Sequence, residues 1–145
     1  MSGPVVGADV DPPPEGAAKL ALRAVDGQVV LIAEDDASVR MTLAFVLEDE
    51  GFQILVAPDG EAALRIASTE LPDVILLDRI MPKMDGKQVF LALRRGERTR
   101  DIPVLVLSGM ERDWDGDWEG AEFVGKPFAP EDLIARIRRV LGSRG

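Results

Sequence analysis

Four places in the chain carry side chains that handle charged oxygen groups: Glu34-Asp35-Asp36, Asp78, Ser108-Gly109 and Gly125-Lys126-Pro127. Brought together they would make three or four carboxylates, one hydroxyl and one lysine. Crowded carboxylates repel. At about 4 Å and an effective dielectric of about 20, each pair costs about 4 kcal/mol. A divalent cation removes that cost, and an all-oxygen set favours Mg²⁺ or Mn²⁺ over softer metals. Such a cation can neutralise and hold an incoming phosphoryl group. Lys126 offers positive charge to another phosphoryl oxygen, and Ser108 offers a hydroxyl donor. Asp78 is then the natural nucleophile, because a carboxylate can form an acyl phosphate.

Composition removes most other chemistry. The 145 residues are the size of one ordinary domain, and 46% hydrophobic with 30% charged residues is a globular balance. No Cys means no disulfide, zinc-thiolate site, iron–sulfur cluster or thiol nucleophile. No His removes the Ser-His-Asp triad and imidazole metal sites, and no Tyr removes a tyrosine nucleophile. The 26 Asp+Glu against 17 Lys+Arg give a net charge of −9. That field disfavours nucleic acid and anionic membranes, so neither is expected as a partner. The segment from Met1 to Asp11 lacks the basic and apolar regions of a signal peptide, and the apolar runs are too short to span a membrane. A cytoplasmic protein is expected.

The elements that must position these residues are visible as apolar runs. Val29–Ala33, Phe52–Ala57, Asp73–Leu77, Val104–Leu107 and Phe123-Val124 are short and rich in β-branched residues. Such runs suit strands buried on both faces of a parallel sheet. Helical stripes lie between them: Val39, Leu43, Val46 and Leu47; Ala63, Ile66 and Ala67; Val89, Phe90 and Leu93; then Leu133, Ile134, Ile137, Val140 and Leu141. Asp59 and Pro130 read as helix starts, and Gly51 and Gly142 as helix ends. The alternation predicts a doubly wound α/β domain whose strand ends share one edge, where ligands of such folds bind. Residues 1–27, with Pro12-Pro13-Pro14 and a short helical spacing at Ala17, Leu20, Ala21 and Ala24, read as a flexible tail. Residues 28–145 read as the domain.

The residues at the strand ends carry a family likeness. Ile32-Ala33-Glu34-Asp35-Asp36, the string Leu76-Leu77-Asp78-Arg79-Ile80-Met81-Pro82-Lys83-Met84-Asp85-Gly86, Val106-Leu107-Ser108-Gly109 and Lys126-Pro127-Phe128 resemble, in order and approximate spacing, the receiver domains of bacterial two-component response regulators. The resemblance runs from about Val29 to Leu141. It implies a CheY-like, flavodoxin-like (βα)5 three-layer sandwich with a five-stranded parallel sheet. It implies that Asp78 accepts the phosphoryl group and that Asp35, Asp78 and the backbone carbonyl of Ile80 hold Mg²⁺. Glu34 would act beside them, through water or as a supporting acid, and Asp36 would not be a ligand. Ser108 would move onto the phosphoryl group, Lys126 would pair with it, and the peptide before Pro127 would be cis. Phe123 would be the aromatic that rotates into the space Ser108 vacates.

The expected function is therefore a stand-alone response regulator receiver. A phosphohistidine on a sensor histidine kinase or a histidine phosphotransfer protein would be the donor, and the acyl phosphate would hydrolyse slowly by itself. This is a signalling domain rather than an enzyme. Lacking His, the chain is not the phosphohistidine donor. Few residues follow the last helix, so output is expected through contact with a downstream protein or through relay. Two other readings meet obstacles. A haloacid-dehalogenase-type phosphatase needs an Asp-x-Asp pair on its first strand, where this chain has Glu34. An FMN-binding flavodoxin needs a first loop that welcomes phosphate, and Glu34-Asp35-Asp36 repels it. An interaction module that is never phosphorylated remains the third alternative. Residues 110–120, with two glycines and three aspartates, form a poor helix, so the helix before the last strand is expected to be short or distorted. Asp113, Asp115 and Asp117 lack the spacing of a calcium loop. Trp114 and Trp118 are expected to cap the sheet edge.

Overall fold

A computed structural model describes residues 28–109 and 118–143. The expected tail 1–27, the short helical spacing within it, Trp114 and the poor helix at 110–117 lie outside the described residues. The apolar runs become strands β1 (Val29–Ala33), β2 (Gln53–Ala57), β3 (Val74–Asp78), β4 (Val104–Ser108) and β5 (Glu122–Gly125). The stripes become helices α1 (Ala37–Asp49), α2 (Gly60–Glu70), α3 (Gly86–Arg95) and α4 (Pro130–Ser143). All strand pairs are parallel, in the order β2-β1-β3-β4-β5. This is the CheY-like flavodoxin fold, and its order reverses between β1 and β3, the position where ligands of such folds bind at the strand ends.

Alternate residues of each strand enter opposite cores, as the pleat requires. Leu31, Ile75, Leu77, Val104 and Val106 pack with Ala63, Ala67, Val89, Phe90 and Leu93 of α2 and α3. Val30, Ile32, Val74, Leu76, Leu105 and Leu107 pack with Leu43, Leu47, Leu133, Ile137 and Leu141 of α1 and α4. Each fully buried Leu or Ile contributes about 1.5–3 kcal/mol relative to exposure, so both layers are held by many such side chains rather than by one anchor.

The expectation that every strand is buried on both faces holds for β1, β3 and β4. It fails for β2 and β5, which are only partly buried. They are the sheet's edges, and Val56 on β2 is exposed. Asp73 lies just before β3, where its carboxylate accepts from the Val29 N–H at 2.7 Å. Gly51, with φ of +99°, follows α1 as expected. Gly142 does not end α4, which runs through it to Ser143. Asp59 caps α2 by accepting from the Ala62 N–H at 2.8 Å. Two caps escaped the sequence reading. Asp36 accepts from Ser38 and Val39 at the start of α1, and Asp85 forms a reciprocal capping box with Gln88 at the start of α3.

Candidate functional site

The parallel sheet delivers the acidic residues to one edge. Glu34 and Asp35 follow β1, and Asp78 is the last residue of the neighbouring β3. Carboxylate oxygens of all three lie within 4.8 Å of one another. Asp36 instead caps α1, so only two of the three consecutive acids join Asp78 in the cluster. Ser108 ends β4 beside β3, buried at 2% exposure, and its carbonyl accepts from the Lys126 N–H at 2.8 Å. That bond anchors the chain as it leaves β5. The Lys126–Pro127 peptide is cis, as expected.

The Lys126 ammonium lies 3.1 Å from Asp78 Oδ1 and 3.6 Å from Glu34 Oε1. Burial pulls the ammonium down, and the two carboxylates outweigh it, leaving Lys126 above its usual value and charged. Burial pushes the Glu34 carboxyl up to about 7, with the Asp78 charge adding to it, while the Asp36 N–H and Lys126 oppose the rise. Glu34 Oε2 accepts from the Asp36 N–H at 3.2 Å, but Oε1 is buried with no hydrogen-bond partner among the described residues. One lysine therefore does not satisfy this acidic cluster. A buried carboxylate oxygen lacking a donor, beside two further carboxylates, fits a small hard cation with oxygen ligands.

Sequence reasoning missed the residues that hold these loops. Arg40, on α1, donates from one guanidinium nitrogen to the Glu34 carbonyl at 2.8 Å and the Asp35 carbonyl at 3.4 Å. It fixes the acidic loop through its backbone. The loop after Asp78 is pinned from two helices. A Cβ on Gly86, the first residue of α3, would sit 2.6 Å from the Asp78 carbonyl oxygen. A Cβ on Gly60, the first residue of α2, would sit 1.7 Å from the Met84 carbonyl oxygen. The Asp59 carboxylate pairs with Lys83 at 3.7 Å, and Lys83 takes a φ of +70°. Glycines at helix starts were the available signal, but only the tertiary approach explains them. Gly60→Ala is expected to destabilise the chain by about 1–3 kcal/mol, the range for a forced steric insertion. Urea denaturation measures it, and an unchanged midpoint would show that the loop yields freely.

Ile80, two residues past Asp78, is exposed. Phe123 on β5 is partly buried and packs against Trp118. Trp118 is buried among the side chains of the α2 and α3 layer.

The sequence pattern of the response regulator receiver domain matches residues 30–138. The phosphate regulon transcriptional regulatory protein of Escherichia coli is 40% identical over 116 residues, which are 77% of this chain and 51% of that protein. The chain thus spans about half the length of the curated relatives it matches. A chemotaxis response regulator of Vibrio cholerae superposes with a TM-score of 0.73 at 33% identity, covering 79% of this chain and 98% of that one. The receiver domain of a Pseudomonas aeruginosa sensor histidine kinase, solved with a magnesium ion coordinated in its active-site cleft, gives 0.74 at 26% identity, covering 80% and 98%. Among the described residues no helix is long and apolar enough to cross a membrane. With the family pattern over residues 30–138 and the fold of these neighbours, the chain belongs to the response regulator receiver domains, the phospho-accepting signalling domains of two-component systems.

Proposed function

We propose that this receiver takes a phosphoryl group from a phosphohistidine onto Asp78. The observation that carries the reading is the Lys126 ammonium 3.1 Å from the Asp78 carboxylate, which also gathers with Glu34 and Asp35. An Asp78 carboxylate oxygen forms the bond to phosphorus as the phosphorus–nitrogen bond to imidazole breaks, and the imidazole departs with that electron pair. Asp35, Asp78 and the Ile80 carbonyl would hold Mg²⁺, with Glu34 beside them, and the cation would supply charge neutralisation to the phosphoryl oxygens. Lys126 moves its charge from the Asp78 carboxylate to a phosphoryl oxygen. The Ser108 hydroxyl donates to another, and Phe123 turns into the space so opened. Slow hydrolysis of the acyl phosphate returns Asp78.

The donor is a histidine kinase or a histidine phosphotransfer protein. The outer face of α1, which begins at the acidic loop, exposes Met41 at 68% and Phe45 at 73%. Exposed apolar side chains beside the acceptor suit a protein donor better than a small one. Output goes to a downstream protein or a relay partner. The regulation of transcription in the longer relatives belongs to those proteins.

Incubation with Mg²⁺ and acetyl phosphate, followed by intact mass, tests the reading. One labile phosphoryl group is expected. Steady release of phosphate with turnover would mark a phosphatase, and no change would mark a pure interaction module. Lys126→Ala is expected to accept phosphate more slowly and to lose the conformational response, because the ion pair that tracks the phosphoryl group is gone. Amide chemical shifts on adding beryllofluoride report this. Wild-type shift changes across β5 in the variant would sink the role given to Lys126.

A further inference from the structure

Phe123 is one member of an aromatic series. Its ring meets Trp118 in a T-shaped contact, centroids 5.3 Å apart at 76°. Trp118, 5% exposed, packs in turn on Phe90 of α3, centroids 5.3 Å apart at 37°. Arg94, one turn further along α3, sets its guanidinium 4.6 Å from the Phe90 ring centroid. The same guanidinium donates to the carbonyls of Arg100 and Ile102 at 3.0 Å and reaches the Gly120 carbonyl at 3.5 Å. It thus ties the end of α3 to the stretch that carries Trp118. The Trp118 indole N–H has no acceptor among the described residues. Packing against two aromatic neighbours, rather than a hydrogen bond, holds the ring.

We propose that Trp118 is a positioning residue that holds Phe123 in its unphosphorylated orientation and couples the turn of Phe123 to α3 through Phe90. The inference rests on Phe123 turning when Asp78 is phosphorylated. The T-shaped contact belongs to the arrangement with Asp78 unmodified, and a turn of Phe123 toward the space beside Ser108 breaks it. A contact made in one of two states biases the chain toward that state. It weakens binding of any ligand that selects the other by the same factor. For an aromatic pair of this geometry the factor is about three- to tenfold. Because Trp118 also packs on Phe90, the turn alters what the C-terminal half of α3 rests on. The surface that reports phosphorylation then includes that part of α3.

The test is a fluorine NMR titration of the full chain with beryllofluoride in the presence of Mg²⁺. Wild type, Trp118→Leu, Phe123→Leu and the double variant are compared, with thermal melts run alongside. Trp118→Leu is expected to bind about three- to tenfold more tightly, while in the Phe123→Leu background the same substitution changes nothing. Trp118→Phe, which keeps an aromatic ring, stays near wild type. If leucine leaves too large a void for folding, Trp118→Met fills more of it without the ring and carries the same expectation. Unchanged or weaker binding, or an equal shift in both backgrounds, overturns the coupling while leaving Asp78 as the acceptor. Absence of a bound signal on wild type overturns the acceptor reading and the coupling with it.

Discussion

Asp78→Asn is expected to abolish acyl phosphate formation completely while the chain stays folded. An amide oxygen lacks the charge and nucleophilicity to form the mixed anhydride, so the loss is of the reaction and not of a fraction of its rate. Folding should persist because the substitution keeps the shape of a residue that ends β3, where Asp78 pairs in register with Leu107 of β4. The asparagine oxygen can still accept from Lys126, now 3.1 Å from Asp78 Oδ1. Removing the charge also relieves Glu34, whose carboxyl Asp78 helps to raise, although burial remains the larger cause. Intact mass after treatment with Mg²⁺ and acetyl phosphate, paired with a thermal melt, separates chemistry from folding. A folded variant that still gains one phosphoryl group would move the acceptor to another carboxylate.

Mg²⁺ affinity is expected to fall about tenfold between pH 8 and pH 6, following the protonation of one group near pH 7. The group is Glu34, whose carboxyl is raised from 4.5 to about 7, chiefly by burial. Below that value Glu34 holds a proton, and the cluster offers one less negative charge to the cation. The stability of the metal-free chain should run the other way. A raised folded pKa contributes stability that is complete below the unfolded value of 4.5 and is lost as pH rises through about 7. In chelator, the denaturation midpoint should therefore decline across that window, and added Mg²⁺ should restore it at the alkaline end. Calorimetric titrations at the two pH values give the affinity, with Asp35→Ala as the variant expected to lose binding. Equal affinity at pH 6 and pH 8 would place the cation away from Glu34.

Much of this site was legible in the order of residues. Continuous apolar runs such as Val29–Ala33 and Val74–Leu77 can be satisfied only by burial on both faces, and the intervening helical stripes leave a parallel sheet as the way to achieve it. A parallel sheet with helical crossovers carries every strand's C-terminal end to one edge, so Glu34, Asp35, Asp78, Ser108 and Lys126 had to meet there. Their identities, with Cys, His and Tyr absent, limited the chemistry to oxygen ligands and an ammonium.

Tertiary structure decided the rest, because it depends on distances between segments remote in the chain. Asp35 and Asp36 are adjacent acids, and spacing alone does not say that one joins the cluster while the other caps α1. The raised Glu34 carboxyl arises chiefly from burial, a property of the folded chain and not of its neighbours in sequence. Gly60 and Gly86 begin α2 and α3, and only the tertiary structure shows the backbone of the Asp78 loop lying where their side chains would be. The partial burial of β2 and β5 follows from strand order, which apolar pattern does not encode. Trp118 read as a cap, and its place between Phe90 on α3 and Phe123 on β5 came only with the tertiary structure, since ring geometry is fixed by segments remote in the chain and not by the spacing of any one of them.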